Sequence, residues 1–200
     1  LSGGTYPGNI LDNGTLIFSG SSAQTLSGTI SGGGALTLSG NGTLTLSGSN
    51  FYSGVTAVNT GSLKIRHAYA LGSTLSGTIV APNATLELEN NISTLGEALT
   101  LNGTLSSQTG NNTFGGTVTL IAGTAIDVGA ASTLTLKGLQ ANGPFVKTGA
   151  GWLKLSQDPN GNGMMTVKNG VVEMTSGTMD ACVVVNAGCS LIATAANAFS

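Results

Sequence analysis

The feature that most constrains this chain is a constant interval between apolar positions. Leu134, Leu153, Val172 and Leu191 each fall on every nineteenth position. Leu136, Leu155, Met174 and Ala193 repeat that interval two positions later, and Ile126, Phe145, Met164 and Val183 repeat it eight positions earlier. Leu36 with Val55, Leu44 with Leu63 and Leu99 with Val118 are further pairs at the same interval. The steps carry apolar–polar–apolar triplets such as Leu44-Thr45-Leu46, Leu63-Lys64-Ile65, Leu86-Glu87-Leu88 and Leu153-Lys154-Leu155. Period two over a few residues marks a strand with one buried face. Asn-Gly, Ser-Gly and Gly-Gly clusters between the triplets supply turn chemistry.

A constant step of about 20 residues holding two or three short strands is the mark of a solenoid, where like residues stack on successive coils. A sandwich also turns often, but nothing in it enforces a constant two-strand step. The chain is therefore read as all-β: a right-handed parallel β-helix (β-solenoid) with about 19–20 residues per coil, its hand taken from the rule for parallel crossovers. Roughly ten coils at about 4.8 Å each would make a rod on the order of 50 Å long. Residues 1–35 and 73–125 are less regular. Leu63 and Leu86 differ by 23 in number and Leu86 and Leu99 by 13, read as coils with lengthened and shortened corners. No Pro-rich or charged linker interrupts the chain, so residues 1–200 are taken as one solenoid segment, expected to belong to a longer array.

Composition narrows the function. Charged residues make up 7% of the chain, against about 25% in an ordinary domain. Six Lys and Arg with a net charge of −2 cannot provide a surface that tracks phosphates, so nucleic acid is not an expected partner. No apolar run approaches the length that a membrane helix needs, so membrane insertion of this segment is not expected. The first residues show neither a basic n-region nor an apolar h-region.

A longer self-similarity lies at an offset of 109. Gly40-Asn41-Gly42-Thr43-Leu44-Thr45-Leu46-Ser47 matches Gly149-Ala150-Gly151-Trp152-Leu153-Lys154-Leu155-Ser156. The match runs on without a gap through Gly54 with Gly163, Val58 with Val167, Gly61 with Gly170 and Leu63 with Val172. Residues 42–48, Asn50-Phe51-Tyr52-Ser53-Gly54 and Val58-Asn59-Thr60-Gly61-Ser62-Leu63 resemble the autotransporter-associated β-strand repeat. Lys147-Thr148-Gly149-Ala150-Gly151-Trp152-Leu153 looks like its opening, and Val185-Asn186-Ala187-Gly188 is a partial third match. In the second copy Asp158-Pro159-Asn160-Gly161-Asn162-Gly163 replaces the aromatic segment. The resemblance covers about half the chain. It implies a passenger-type solenoid of large secreted or surface proteins of Gram-negative bacteria, hence an extracellular or outer-surface location, and it implies no activity.

Side chains that could carry chemistry are few. Glu87 and Glu89 should share an outer face about 7 Å apart, within the range of inverting glycosidases, although Leu86 and Leu88 on the inner face favour two solvated carboxylates. Arg66 and His67 follow a strand and read as a surface corner, and a single His is a poor metal site. The Asp158–Gly163 loop has one carboxylate and reads as a turn. Asn-x-Ser/Thr triplets begin at Asn13, Asn41, Asn83, Asn91, Asn102 and Asn111, and are read as turns entering Thr-rich strands. Thr43-Leu44-Thr45, Thr117-Val118-Thr119 and Thr133-Leu134-Thr135 present outward Thr pairs of the ice-binding kind, but Lys154 and Glu173 break the column under Thr135. Cys182 and Cys189 could close a short loop, though the corner at Asn186-Ala187-Gly188 opposes a bridge. No catalytic, cofactor-binding or metal-binding residue is assigned, and no enzyme activity is expected.

The function expected is a structural stalk, spacer or adhesive shaft. The first alternative is a self-assembling extracellular filament subunit stacking end to end, and the second is a carbohydrate-active β-helix enzyme. Expected partners are adjacent repeats or identical subunits at terminal β edges, and host or surface glycans. Open edges near Leu1–Gly4 and after Leu191–Ala193 lead to an expectation of end-to-end association, which a Pro or Lys within Leu191–Ala193 would suppress. The register also places Lys154 and Glu173 side by side on the outer face, as an ion pair.

Overall fold

The computed structural model describes residues 3–157, 161, 163–176 and 183–194. Their regular elements are all strands, and the strands pair in parallel. The chain visits three sides of each coil in turn. The first side stacks β1 (Gly4–Tyr6), β4 (Gln24–Leu26), β7 (Thr43–Leu46), β10 (Ser62–Ile65), β12 (Thr85–Leu88), β14 (Thr104–Ser107), β16 (Thr124–Val128), β18 (Phe145–Thr148), β20 (Met165–Val167) and β22 (Val183–Val185). The second side begins with β2 (Ile10–Leu11), β5 (Ile30–Gly32) and β8 (Phe51–Tyr52). The third side begins with β3 (Thr15–Phe18), β6 (Ala35–Leu38), β9 (Thr56–Val58), β11 (Thr78–Val80) and β13 (Leu99–Leu101).

Two long strands then join the second and third sides. β15 (Asn111–Leu120) and β17 (Thr133–Ala141) run round the corner between them, with an irregularity between Phe114 and Thr117. Their trailing halves continue the third side, where Val118 pairs with Leu99. Their leading halves carry the second side onward, where Leu134 pairs with Leu153 in β19 (Trp152–Leu155). β21 (Val171–Met174) and β23 (Ser190–Ala193) follow on that same side.

The first side has ten strands, so nine steps separate its ends, about 43 Å along the axis. Alternation does the folding. In β16 the pattern buries Thr124, Ile126 and Val128 and leaves the residues between them on the outer face. Leu63, Leu86, Leu105 and Ile126 stack in one fully buried column. Corners are closed partly by interior amides, because an amide offers both a donor and an acceptor along the axis. Asn50 accepts from the Ile30 N–H at 2.8 Å and donates to the Ala70 carbonyl at 2.6 Å, so it ties three coils. Asn112 accepts from the Ile92 N–H at 2.9 Å and donates to the Leu88 carbonyl at 3.1 Å, and so ties its coil to the one before.

The column of Leu134, Leu153, Val172 and Leu191 lies in register on successive coils, as does that of Leu136, Leu155, Met174 and Ala193. The third column does not. Ile126 stacks on Lys147, and Phe145 stacks between Thr124 and Met165. Met165 in turn pairs with Val183, and Met164 is exposed. The cause is coil length. From Ile126 to Lys147 the numbering advances by 21, and from Phe145 to Met165 by 20. Two added residues slide the column by one inward position, and a single added residue exchanges the inner and outer faces. Leu36 likewise pairs with Thr56 and not with Val55. The irregular intervals also resolve. Leu63 does pair with Leu86, and the lengthened coil between them accommodates turns held by Ala70 N–H to His67 and Gly72 N–H to Tyr69. Leu86 and Leu99 lie on different sides of one coil, and on the next coil Leu86 stacks on Leu105.

Candidate functional site

The Glu87 and Glu89 carboxylates stand on the first side against two cations. Lys64 lies directly beneath Glu87 in the ladder. Its Nζ is 3.4 Å from Glu87 Oε2 and 2.8 Å from Glu89 Oε1, and Arg66 Nε donates to Glu89 Oε2 at 2.7 Å. The cluster thus holds two positive and two negative groups. Burial alone would raise the Glu89 carboxyl, but the hydrogen bonds from Lys64 and Arg66 bring it below its ordinary value. A glycosidase proton donor needs the opposite shift. Burial alone would lower the Lys64 ammonium, but the Glu89 and Glu87 carboxylates carry it above its ordinary value. The cluster therefore fixes its charges and clamps β10 to β12. His67 sits on the following corner, where its Nδ1 accepts from the Tyr69 N–H at 3.2 Å and its ring lies 5.8 Å from that of Tyr69.

Lys154 and Glu173 face each other in adjacent strands at 3.0 Å, and the Lys154 ammonium lies 5.8 Å from the Trp152 ring centre. The outward Thr pairs do not share a face. Thr43 and Thr45 are on the first side, Thr117 and Thr119 on the third, and Thr133 and Thr135 on the second. Asn83 and Asn91 adopt positive φ at turns, 64° and 57°. Asn111 and Asn112 correct the turn reading, because both lie within β15 and Asn112 is buried. Of the Asp158–Gly163 loop, Gly161 and Gly163 are described, and the rest lies outside the described residues. Cys182 and the chain after Thr194 also lie outside them, so the Cys182–Cys189 bridge does too.

Among the described residues, a basic and an acidic side chain, Lys147 and Glu97, are turned into the interior. Lys147 is fully buried, and its Nζ donates to the carbonyls of Thr148, Gly149 and Asn169 at 2.7, 2.7 and 3.1 Å. Burial draws its ammonium down to about 8, against the opposing field of Asp127. Asp127 itself is held on the outer face, accepting from Thr148 Oγ1 at 2.8 Å and Gln108 Nε2 at 2.6 Å. Glu97 is 3% exposed. Its Oε1 accepts from Thr78 Oγ1 at 2.9 Å, and its Oε2 has no hydrogen-bond partner among the described residues. Burial pushes this carboxyl up to about 7, against the hydrogen bond from Thr78. The sequence analysis did not single out Lys147, although period two from Phe145 was the signal that would turn it inward. Glu97 had no such signal, because it lies in an irregular corner and not in a strand.

An open groove of about 450 Å³ crosses the corner between the second and third sides, lined by Gly96, Gly115, Gly116, Thr117, Lys137, Gly138 and Gln157. Gly115 and Gly116 are required by packing. A Cβ on either would lie within 2.2 or 1.8 Å of the Thr94 or Glu97 carbonyl oxygen. Comparisons of the chain with protein-family models, with curated proteins and with solved structures find no match.

Proposed function

We propose that this chain is a structural β-solenoid, a stiff stalk or spacer within a secreted or surface protein of a Gram-negative bacterium. The observation that carries the reading is the unbroken ten-strand parallel ladder of the first side, with its buried apolar column. Hydrogen bonds between coils run along the axis, so each coil resists stretching only with its neighbours. The resemblance of residues 42–63 and 147–153 to the autotransporter-associated repeat supports the extracellular setting. Adjacent repeats and surface glycans are the partners such a shaft would meet. Single-molecule stretching tests the reading. A shaft holds its length and then lengthens in discrete steps as coils detach, whereas smooth extension at low force would overturn it.

A further inference from the structure

The corner from Asn90 to Ala98 is anchored as far as Thr94, where Asn112 Oδ1 accepts from the Ile92 N–H and the Ile92 carbonyl accepts from the Thr113 N–H, and its last residues, Leu95–Ala98, are tied by few bonds. Asn90 and Asn91 both adopt positive φ, at 69° and 57°. A single bridge joins Ser93 to Thr113. The Glu97 N–H is turned back onto the Leu95 carbonyl at 2.8 Å, Leu95 is half exposed, and an added Cβ on Gly96 would meet nothing within 4 Å. Yet this Leu95–Ala98 end carries the Glu97 carboxyl into the interior, where Thr78 binds one oxygen and no described residue binds the other.

The groups facing that carboxyl are uncharged. Thr78 stacks on Thr56 in the third-side ladder, and Thr56 shares a 2.7 Å hydrogen bond with the hydroxyl of Tyr52. Tyr52 is the titratable group that faces Glu97 from within, and burial holds its phenol well above the usual range, so it stays neutral. Among the described residues no cation lies within ion-pair distance of Glu97. Lys64, Arg66, Glu87 and Glu89 are engaged with one another on the first side, and Lys137 lines the groove outside. A protonated Glu97 is neutral and fits this setting. An ionised one would be a desolvated charge with a single donor, and such a charge is costly unless it reaches water.

We propose that the Thr94–Ala98 end of this corner is a proton-operated latch: Glu97 in its acid form holds it closed over the interior, and loss of the proton releases it. Release swings Glu97 outward and breaks three bonds at once. These are the Thr78 N–H to Ala98, the Thr94 N–H to Thr113, and the Gly115 N–H to Thr94 Oγ1. Gly116, packed on the Glu97 carbonyl, would lose its support, so the groove changes shape with pH. The latch loosens a mid-shaft corner at neutral and alkaline pH and tightens it in acid.

Hydrogen exchange of the Thr78, Thr94 and Gly115 amides tests the latch, corrected for the intrinsic pH dependence of exchange. The full chain should open at this corner at least about tenfold more at pH 8 than at pH 5, because an ionising group favours the state that solvates it. In Glu97→Gln the ratio should fall to near one. A ratio near one in the parent chain, or an undiminished ratio in the variant, overturns the proposal. Should the variant not fold, carbon NMR titration of isotope-labelled glutamate decides. A glutamate titrating together with the amide opening supports the latch, and the absence of any glutamate titrating above the ordinary carboxyl range overturns it.

Discussion

The blocks at residues 40–65 and 149–174 have matching sequences but different places in the rod. In the first block β7 and β10 lie on the first side and β9 on the third. In the second, the matching β19 and β21 lie on the second side and β20 on the first. The same sequence has advanced by one side, a third of a coil. Local contacts travel with it. Gly61 has φ +69°, and a Cβ there would lie 2.5 Å from the carbonyl oxygens of both Gly40 and Gly42. Gly170 has φ +77°, and its Cβ would lie 2.6 and 2.5 Å from those of Gly149 and Gly151. The repeat therefore specifies a strand, a glycine corner and a step, but not which side of the coil it occupies. Side is set by the residues between the copies, where β15 and β17 turn the corner within a single strand.

The largest effect should come from breaking the shared corner. Gly61→Val and Gly170→Val each force a β-branched residue into positive φ and into two backbone carbonyls. Each should cost about 3 kcal/mol or more. Chemical denaturation should show similar losses for the two, since the wedge is the same on either side. A large loss at one and a small loss at the other would mean that the side, and not the motif, determines the corner.

The pattern of legibility follows from the same contrast. Column Leu134–Leu191 could be read because its coils keep one length, so spacing equals stacking. Ile126, Phe145 and Met164 were misaligned because the coils there are lengthened by one or two positions, and spacing no longer names the neighbour. The Lys154–Glu173 pair was legible for the reason that made the column legible. The clamp of Lys64 and Arg66 on Glu89 was not, because its partners are separated by 25 and 23 in the chain, across a lengthened coil. Glu97 was missed because an irregular corner has no period from which inward and outward can be told. The resemblance to a repeat carried architecture only, and the interior acid and base are peculiar to the coils that hold them.

The blocks differ most in the middle. Tyr52 is fully buried in the first, and Gly161 takes its place in the second. Tyr52→Phe keeps the ring packed against its neighbours but removes the 2.7 Å bond to Thr56. The loss should be about 1–2 kcal/mol, the cost of stranding a buried hydroxyl. Hydrogen exchange should show the change in the coils around Thr56 and Thr78, with the block at 149–174 unaffected. Equal loosening of both blocks would show that the coils melt as one unit and that the comparison between them carries no local information.

The smallest effect separates the outer ladders. At matching positions the first block has Thr45 and Lys64, and the second has Lys154 and Glu173. Lys64 holds two carboxylates of the next coil, with side-chain exposures of 21% for Lys64 and 12% for Glu89. Lys154 holds one, and its own side chain is 37% exposed. Solvent screens the second pair more, so Lys154→Met should cost less than about 1 kcal/mol and Lys64→Met about 1–2 kcal/mol. The pH dependence supplies the sign. Glu89 lies below its ordinary pKa in the folded chain, so its contribution is present above the unfolded value and disappears as pH falls through the folded one. Lys64 lies above its ordinary value, so its share is intact in that range and is lost only on the alkaline side. The difference between parent chain and Lys64→Met should therefore shrink in acid, when the carboxylates are neutralised. Unfolding midpoints at pH 7 and pH 3 would measure it, and a Lys64→Met deficit that persists undiminished at pH 3 would mean that the lysine stem, and not its charge, holds β10 against β12.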